Sequence, residues 1–150
     1  MNINGIIRKG KFVDDELINN DCYGLEYKRE ILKIIENKNI KCLIDIHGCK
    51  SCYEFDIDIG TNFGNNTNNN TKLLNILVNN LSTIGKVEVD GKFTATKEEI
   101  ISNYIHKESN IPCFQIEISA EIREDKERLL EFINSMKNAL IQIKNELKEI

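Results

Sequence analysis

The sequence predicts an α/β fold with a mixed, mostly parallel central sheet flanked by helices. Three observations carry that expectation. Strand-like runs at Cys42–Ile46, Glu54–Ile59 and Cys113–Ser119 are rich in β-branched residues or alternate strictly. Amphipathic helical stripes stand between and after them. The connections are long enough for crossovers, which parallel strands require.

Each element has its own reason. Met1 to Cys22 shows no clean period; Ile3, Ile6, Ile7, Phe12 and Val13 suit a short strand or hairpin, with turns at Gly5 and Gly10. From Leu25 to about Asn37, Tyr27, Ile31, Ile34 and Ile35 fall on one helical face. The run Glu54–Ile59 alternates acidic and apolar residues, so its apolar face packs inward and Glu54, Asp56 and Asp58 share the other face. Asn65–Thr71 is a low-complexity polar stretch, expected as a mobile surface loop or a lid beside a site. Leu73, Leu74, Leu77, Val78, Leu81 and Ile84 mark a helix stopped by Gly85; Lys86 to Val89 is a short strand before an Asp90-Gly91 turn. Thr96 with Glu99 reads as a capping box opening a helix that buries Ile100, Ile101, Tyr104 and Ile105. A long covering helix from about Glu124 to Lys148 closes the chain.

At 150 residues, with 41% hydrophobic and 29% charged residues, one domain spanning 1–150 is expected. The net charge of −4 argues against a dedicated nucleic-acid binder, because phosphate contacts need clustered Lys and Arg. No apolar run approaches a membrane span, so a membrane partner is not expected. With no signal peptide at the start, five cysteines suggest reduced thiols and a cytoplasmic setting.

The chemistry concentrates between Lys41 and Gly64. His47 stands where the first strand gives way to a loop, the place where open α/β sheets gather ligands. It reads either as a metal ligand or as a structural histidine; a catalytic zinc usually takes three protein ligands plus water. His106, inside a helix, reads as a surface or packing residue. Cys49-x-x-Cys52 could be a metal or redox pair, but no second pair exists and the following residues read as strand, so adventitious thiols are the default. Asp56 and Asp58 are either the wet face of an edge strand or substrate contacts. Glu117, mid-strand between Ile116 and Ile118 and on one face with Gln115, is either solvated or held for acid/base work.

With LIDIHG, FDIDIGTNFG and IPCFQIEISAEIRED in that order, the chain resembles the N-formylglutamate amidohydrolase-like group of the zinc-carboxypeptidase-like superfamily. The resemblance runs from about Arg8 or Asn20 to Arg123. It implies zinc-dependent hydrolysis of an amide bond in a small acidic N-acyl amino acid. His47 in DIHG then matches a metal-ligand histidine and Glu117 in QIEIS the general base. Arg8 and Arg123 fall where arginines bind the substrate carboxylate or polarise the scissile carbonyl. The group's first metal ligands lie on an early histidine-bearing segment, and here no histidine precedes His47. That departure implies either an N-terminally shortened chain, which would lose a strand and expose a sheet edge or invite homo-oligomers, or metal chemistry that has been lost or rebuilt. It also raises an alternative: a catalytically inactive module that binds a small ligand or a partner chain.

Overall fold

The computed structural model of the protein describes residues 22–51 and 53–148. Its elements, in chain order, are α1 (Cys22–Lys38), β1 (Leu43–Gly48), β2 (Ile57–Gly60), a 3-10 turn (Asn65–Thr67), α2 (Thr71–Leu81), β3 (Val87–Val89), α3 (Ile101–Ser109), β4 (Cys113–Ile118), α4 (Ala120–Glu124) and α5 (Lys126–Glu146). The four strands form one sheet in the order β1-β4-β2-β3. β1 pairs with β4 and β2 with β3 in parallel, while β2 and β4 run antiparallel. The α/β expectation, with a mixed and mostly parallel sheet between helices, is met.

The period-2 pattern explains how each face is covered. One face presents Ile57, Ile59, Phe114, Ile116 and Ile118, which pack on Leu73, Leu77 and Leu81 of α2 and on Phe132, Met136, Ala139 and Ile143 of α5. The opposite face is divided along the strands. Its beginning is apolar: Cys113 and Leu43 lie with Ile31 and Ile35 of α1 and Ile105 of α3. Beyond them the same face turns polar, with Asp45, His47, Gln115, Glu117 and Asp58 in place of aliphatic residues.

Several elements depart from the sequence reading. The Asn-rich stretch is a packed corner: Asn66 and Thr67 are buried, and Asn66 Nδ2 donates to Ala95 O at 3.2 Å. Asn70 then caps α2, its Oδ1 accepting from Leu73 N at 3.1 Å. Short amide side chains close local turns as well as they mark loops, so composition alone could not separate the two. The capping box at Thr96–Glu99 does not open a helix. α3 starts at Ile101, and Asn103 Nδ2 instead holds the preceding turn through Thr96 O and Lys97 O, at 2.8 and 3.1 Å. The second strand is shorter than its alternation suggested. It begins at Ile57, and just before it the Asp56 side chain is engaged by Arg128 Nη2 and Lys86 N, at 2.8 and 2.9 Å. The long last helix is present as expected, its start capped by Asp125 Oδ1 through Glu127 N and Arg128 N, and the short helix α4 before it was not part of the sequence reading.

Candidate functional site at the carboxyl ends of β1 and β4

The registers decide which side chains can meet. His47 is paired with Glu117 across β1 and β4, and Glu117 with Asp58 across β4 and β2. Asp58 is in turn paired with Glu88 on β3. Residues directly opposite in a sheet share a face, so His47, Glu117, Asp58 and Glu88 form one row across all four strands. One step back along the strands lie Asp45 and Gln115, also paired and on the same face. His47 and Glu117 thus share one surface.

The members of the row differ in environment. Glu117 is 6% exposed, and its Oε1 accepts a hydrogen bond from Gln115 Nε2 at 2.9 Å. The other end of the Gln115 amide, Oε1, is buried without a hydrogen-bond donor among the described residues. His47 Nε2 lies 2.8 Å from Asp45 Oδ2. The contact has ion-pair distance without hydrogen-bond alignment, since Asp45 Oδ2 is buried and receives no aligned donor among the described residues.

Asp58 is fully buried and serves the fold. Its Oδ1 accepts from Gly91 N at 3.2 Å and its Oδ2 from Lys92 N and Phe93 N at 2.8 Å each. The carboxylate therefore closes the loop after β3 with three backbone donors. Asp56 lies outside the row, in its ion pair with Arg128 at 2.8 Å. Burial works to raise its carboxyl pKa, but hydrogen bonds from Arg128 and Lys86 and the Arg128 charge prevail and hold it below the usual carboxylate range.

Arg123 sits above the end of β1. Its Nε donates to Ile118 O at 3.1 Å and its Nη2 to Cys49 O at 2.9 Å, so the guanidinium fastens the first residue after β1 to the end of β4. A Cβ on Gly48 would run into that guanidinium, so a larger residue there would displace the Arg123 side chain. Cys49 is buried within electrostatic reach of Glu117, Asp58 and Arg123. Burial, then the Glu117 carboxylate, push its thiol pKa up, which disfavours the thiolate a nucleophile or metal ligand needs. His106 Nδ1 is 2.8 Å from Ile111 O at the end of α3, the packing role expected of it. Arg8 and Cys52 lie outside the described residues.

Beyond β4 a shallow cavity of about 140 Å³ opens between Ser51, Tyr53, Glu54, Ser119 and Glu121. Ser119 Oγ is buried there without a hydrogen-bond partner among the described residues. Sequence reasoning did not single out Asp45, Gln115 or Arg128 as site residues. For the first two a signal existed: each stands two positions before a candidate, His47 or Glu117, and period 2 puts it on the same face.

No family model matches the chain, and no curated protein or solved structure matches it either. The donor set itself tests the expected zinc. His47 Nε2 and Asp45 Oδ2 are close enough to bind one cation together, but among the described residues no three His, Cys, Asp or Glu side chains converge. Those residues of a single chain do not complete a zinc site.

Proposed function

We propose that the protein hydrolyses the amide bond of a small N-acyl amino acid at the row formed by His47 and Glu117. The observation that supports this most is the register: two residues 70 positions apart in sequence are direct neighbours on one sheet face, at the strand ends where ligands gather. Glu117 is the base. It takes a proton from a water that attacks the acyl carbon, and the amine released on C–N cleavage takes the proton back. Gln115 fixes the carboxylate for that transfer through Nε2. Arg123, with Nε and Nη2 on backbone carbonyls, holds the strand ends together and shapes the site beside the substrate. Zinc bound here would use His47 and Asp45 and would supply electrophilic stabilisation of the carbonyl oxygen. The acidic N-acyl amino acid as substrate class comes from the resemblance of the sequence motifs.

A second reading is a binding module that holds a small polar ligand on the same face without turnover. It is favoured by the incomplete donor set among the described residues. The two separate in one experiment. Amine release from N-formyl and N-acetyl amino acids, with and without zinc, is measured for wild type and Glu117→Gln. Hydrolysis predicts a fall in kcat of ~10²–10⁴-fold with KM little changed. Full activity in the variant would refute the base assignment. Absence of turnover in zinc-loaded wild type, with saturable ligand binding, would establish the second reading.

A further inference from the structure

The cavity beyond the end of β4 is walled by two short stretches of chain. Ser51 and the run Tyr53 to Asp56 form one side, Ser119 and Glu121 the other. Both are fixed. Tyr53 stacks on Phe55 with ring centroids 5.3 Å apart, and Phe93 meets the two edge-on at 5.4 and 6.2 Å. Asp56 N donates to Lys86 O and Ser119 N to Asp56 O, both at 2.9 Å, which ties the two walls together.

Two features of these walls point to a ligand. The first is Ser119, 2% exposed, whose Oγ is buried without a hydrogen-bond partner among the described residues. A serine at the start of a helix ordinarily accepts from an amide of the first turn, yet this one makes no capping bond to α4. A buried hydroxyl left in that state costs stability, which favours a group that bonds to it from the cavity. The second is charge. Glu54, Asp56 and Glu121 line the cavity, and no Lys, Arg or His stands among its lining residues. The cations that act on these acids are paired: Arg128 reaches Asp56 at 2.8 Å and Glu121 at 3.8 Å, while Lys86, within reach of the Glu54 charge, pairs with Glu88 at 2.9 Å. Negative charge is left in excess.

We propose that this cavity binds an alkyl ammonium group, either of a free amine or at the end of a lysine side chain. An ammonium carries three N–H donors and no acceptor. Ser119 Oγ accepts one of them, and the carboxylates of Glu54 and Glu121 receive the others and balance the charge. An anion would meet those carboxylates, and a neutral hydroxyl would leave their charge uncompensated. A bare metal ion is disfavoured because, among the described residues, no three His, Cys, Asp or Glu side chains converge. A volume of about 140 Å³ accepts an ammonium head with a few methylenes behind it. The inference concerns binding alone and stands whether or not the row of His47 and Glu117 hydrolyses anything.

The test titrates the full 150-residue chain, isotope-labelled, with n-butylamine, with Nα-acetyl-lysine amide and with n-butanol, following backbone amide shifts by NMR. Both amines should give saturable shifts at Tyr53, Glu54, Ser119 and Glu121, with Kd of ~1–10 mM for ligands this small, and butanol should not. Tighter binding of butylamine marks a free amine as the occupant, and tighter binding of the lysine derivative a side chain. Ser119→Ala should weaken binding roughly 2–10-fold and leave Tm unchanged or higher, since it removes a hydroxyl that has no bond to lose. Glu121→Gln, exposed on α4, should weaken it about 2–5-fold and keeps the test decisive if Ser119→Ala does not fold. Glu131→Gln, on α5 and outside the cavity lining, should change nothing. Butanol binding as well as the amines overturns the proposal. So does a titration without saturable shifts at these residues, or binding that survives both Ser119→Ala and Glu121→Gln.

Discussion

Asp58→Asn separates a structural carboxylate from a substrate contact. In the native chain Oδ2 receives Lys92 N and Phe93 N at 2.8 Å, Oδ1 receives Gly91 N at 3.2 Å, and the side chain has no exposed surface. Asparagine keeps the shape and one acceptor. Its best arrangement places that oxygen under Lys92 and Phe93, which leaves the amide NH₂ facing the Gly91 N–H. The two retained bonds lose their charge assistance, roughly 0.5–1 kcal/mol each, and the Gly91 donor is left buried and opposed, about 1–3 kcal/mol. The sum is about 2–5 kcal/mol. At ~2–4 °C per kcal/mol for a chain of this size, Tm should fall by roughly 5–15 °C in calorimetry. A substrate contact would instead leave Tm alone and raise KM. A variant melting within about 1 °C of wild type would refute the structural assignment.

Three further outcomes follow from named contacts. Because the Asp56 carboxyl is held low by Arg128, its stabilising effect is present above the unfolded carboxylate pKa near ~3.9 and is lost as pH falls through the lower folded value. Arg128→Met should therefore cost about 1–2 kcal/mol in urea titrations at pH 7 and much less at pH 2 to 3; a pH-independent cost would contradict the pairing. Gly60→Ala drives a Cβ into the Phe93 carbonyl and to within 3.1–3.2 Å of Ala95, inside a strand paired on both sides. It should therefore lower stability by about 1–3 kcal/mol or more, and an unchanged urea midpoint would contradict that packing. Burial raises the thiol pKa of Cys42 to about 12 and pushes Cys113 higher still, so neither should react with a disulfide reagent at pH 8 until the chain is unfolded.

How much of this was legible in the sequence depends on the range of the interactions involved. Strand periodicity located β1 and β4 and put Gln115 on one face with Glu117, because alternation is a local property. The meeting of His47 with Glu117 needed the strand order β1-β4-β2-β3, which no local pattern encodes. Asp56 and Asp58 show the same limit. As alternating acids they look equivalent, yet one is claimed by Arg128, 72 residues away, and the other by three amides of the loop after β3. The Asn-rich corner misled for a related reason: Asn66 is fixed by a carbonyl 29 residues on.

The division of the sheet face into an apolar beginning and a polar end explains why a site can exist in so small a chain. Ile31, Ile35 and Ile105 cover only the first residues of β1 and β4, and the opposite face of β4 and β2 is packed by α2 and α5. The core therefore anchors Glu117 through Ile116 and Ile118, both buried on the far side, while its own side chain emerges on the polar half. A carboxylate carried mid-strand between two core residues has little freedom to move, and Gln115 fixes its remaining rotation. Preorganisation of that kind is what a general base requires, and burying a carboxyl group for it costs stability. Glu117→Gln should accordingly leave Tm unchanged or raise it. A residue kept for structure would lower Tm on the same substitution, so melting behaviour distinguishes the two roles even before a substrate is identified.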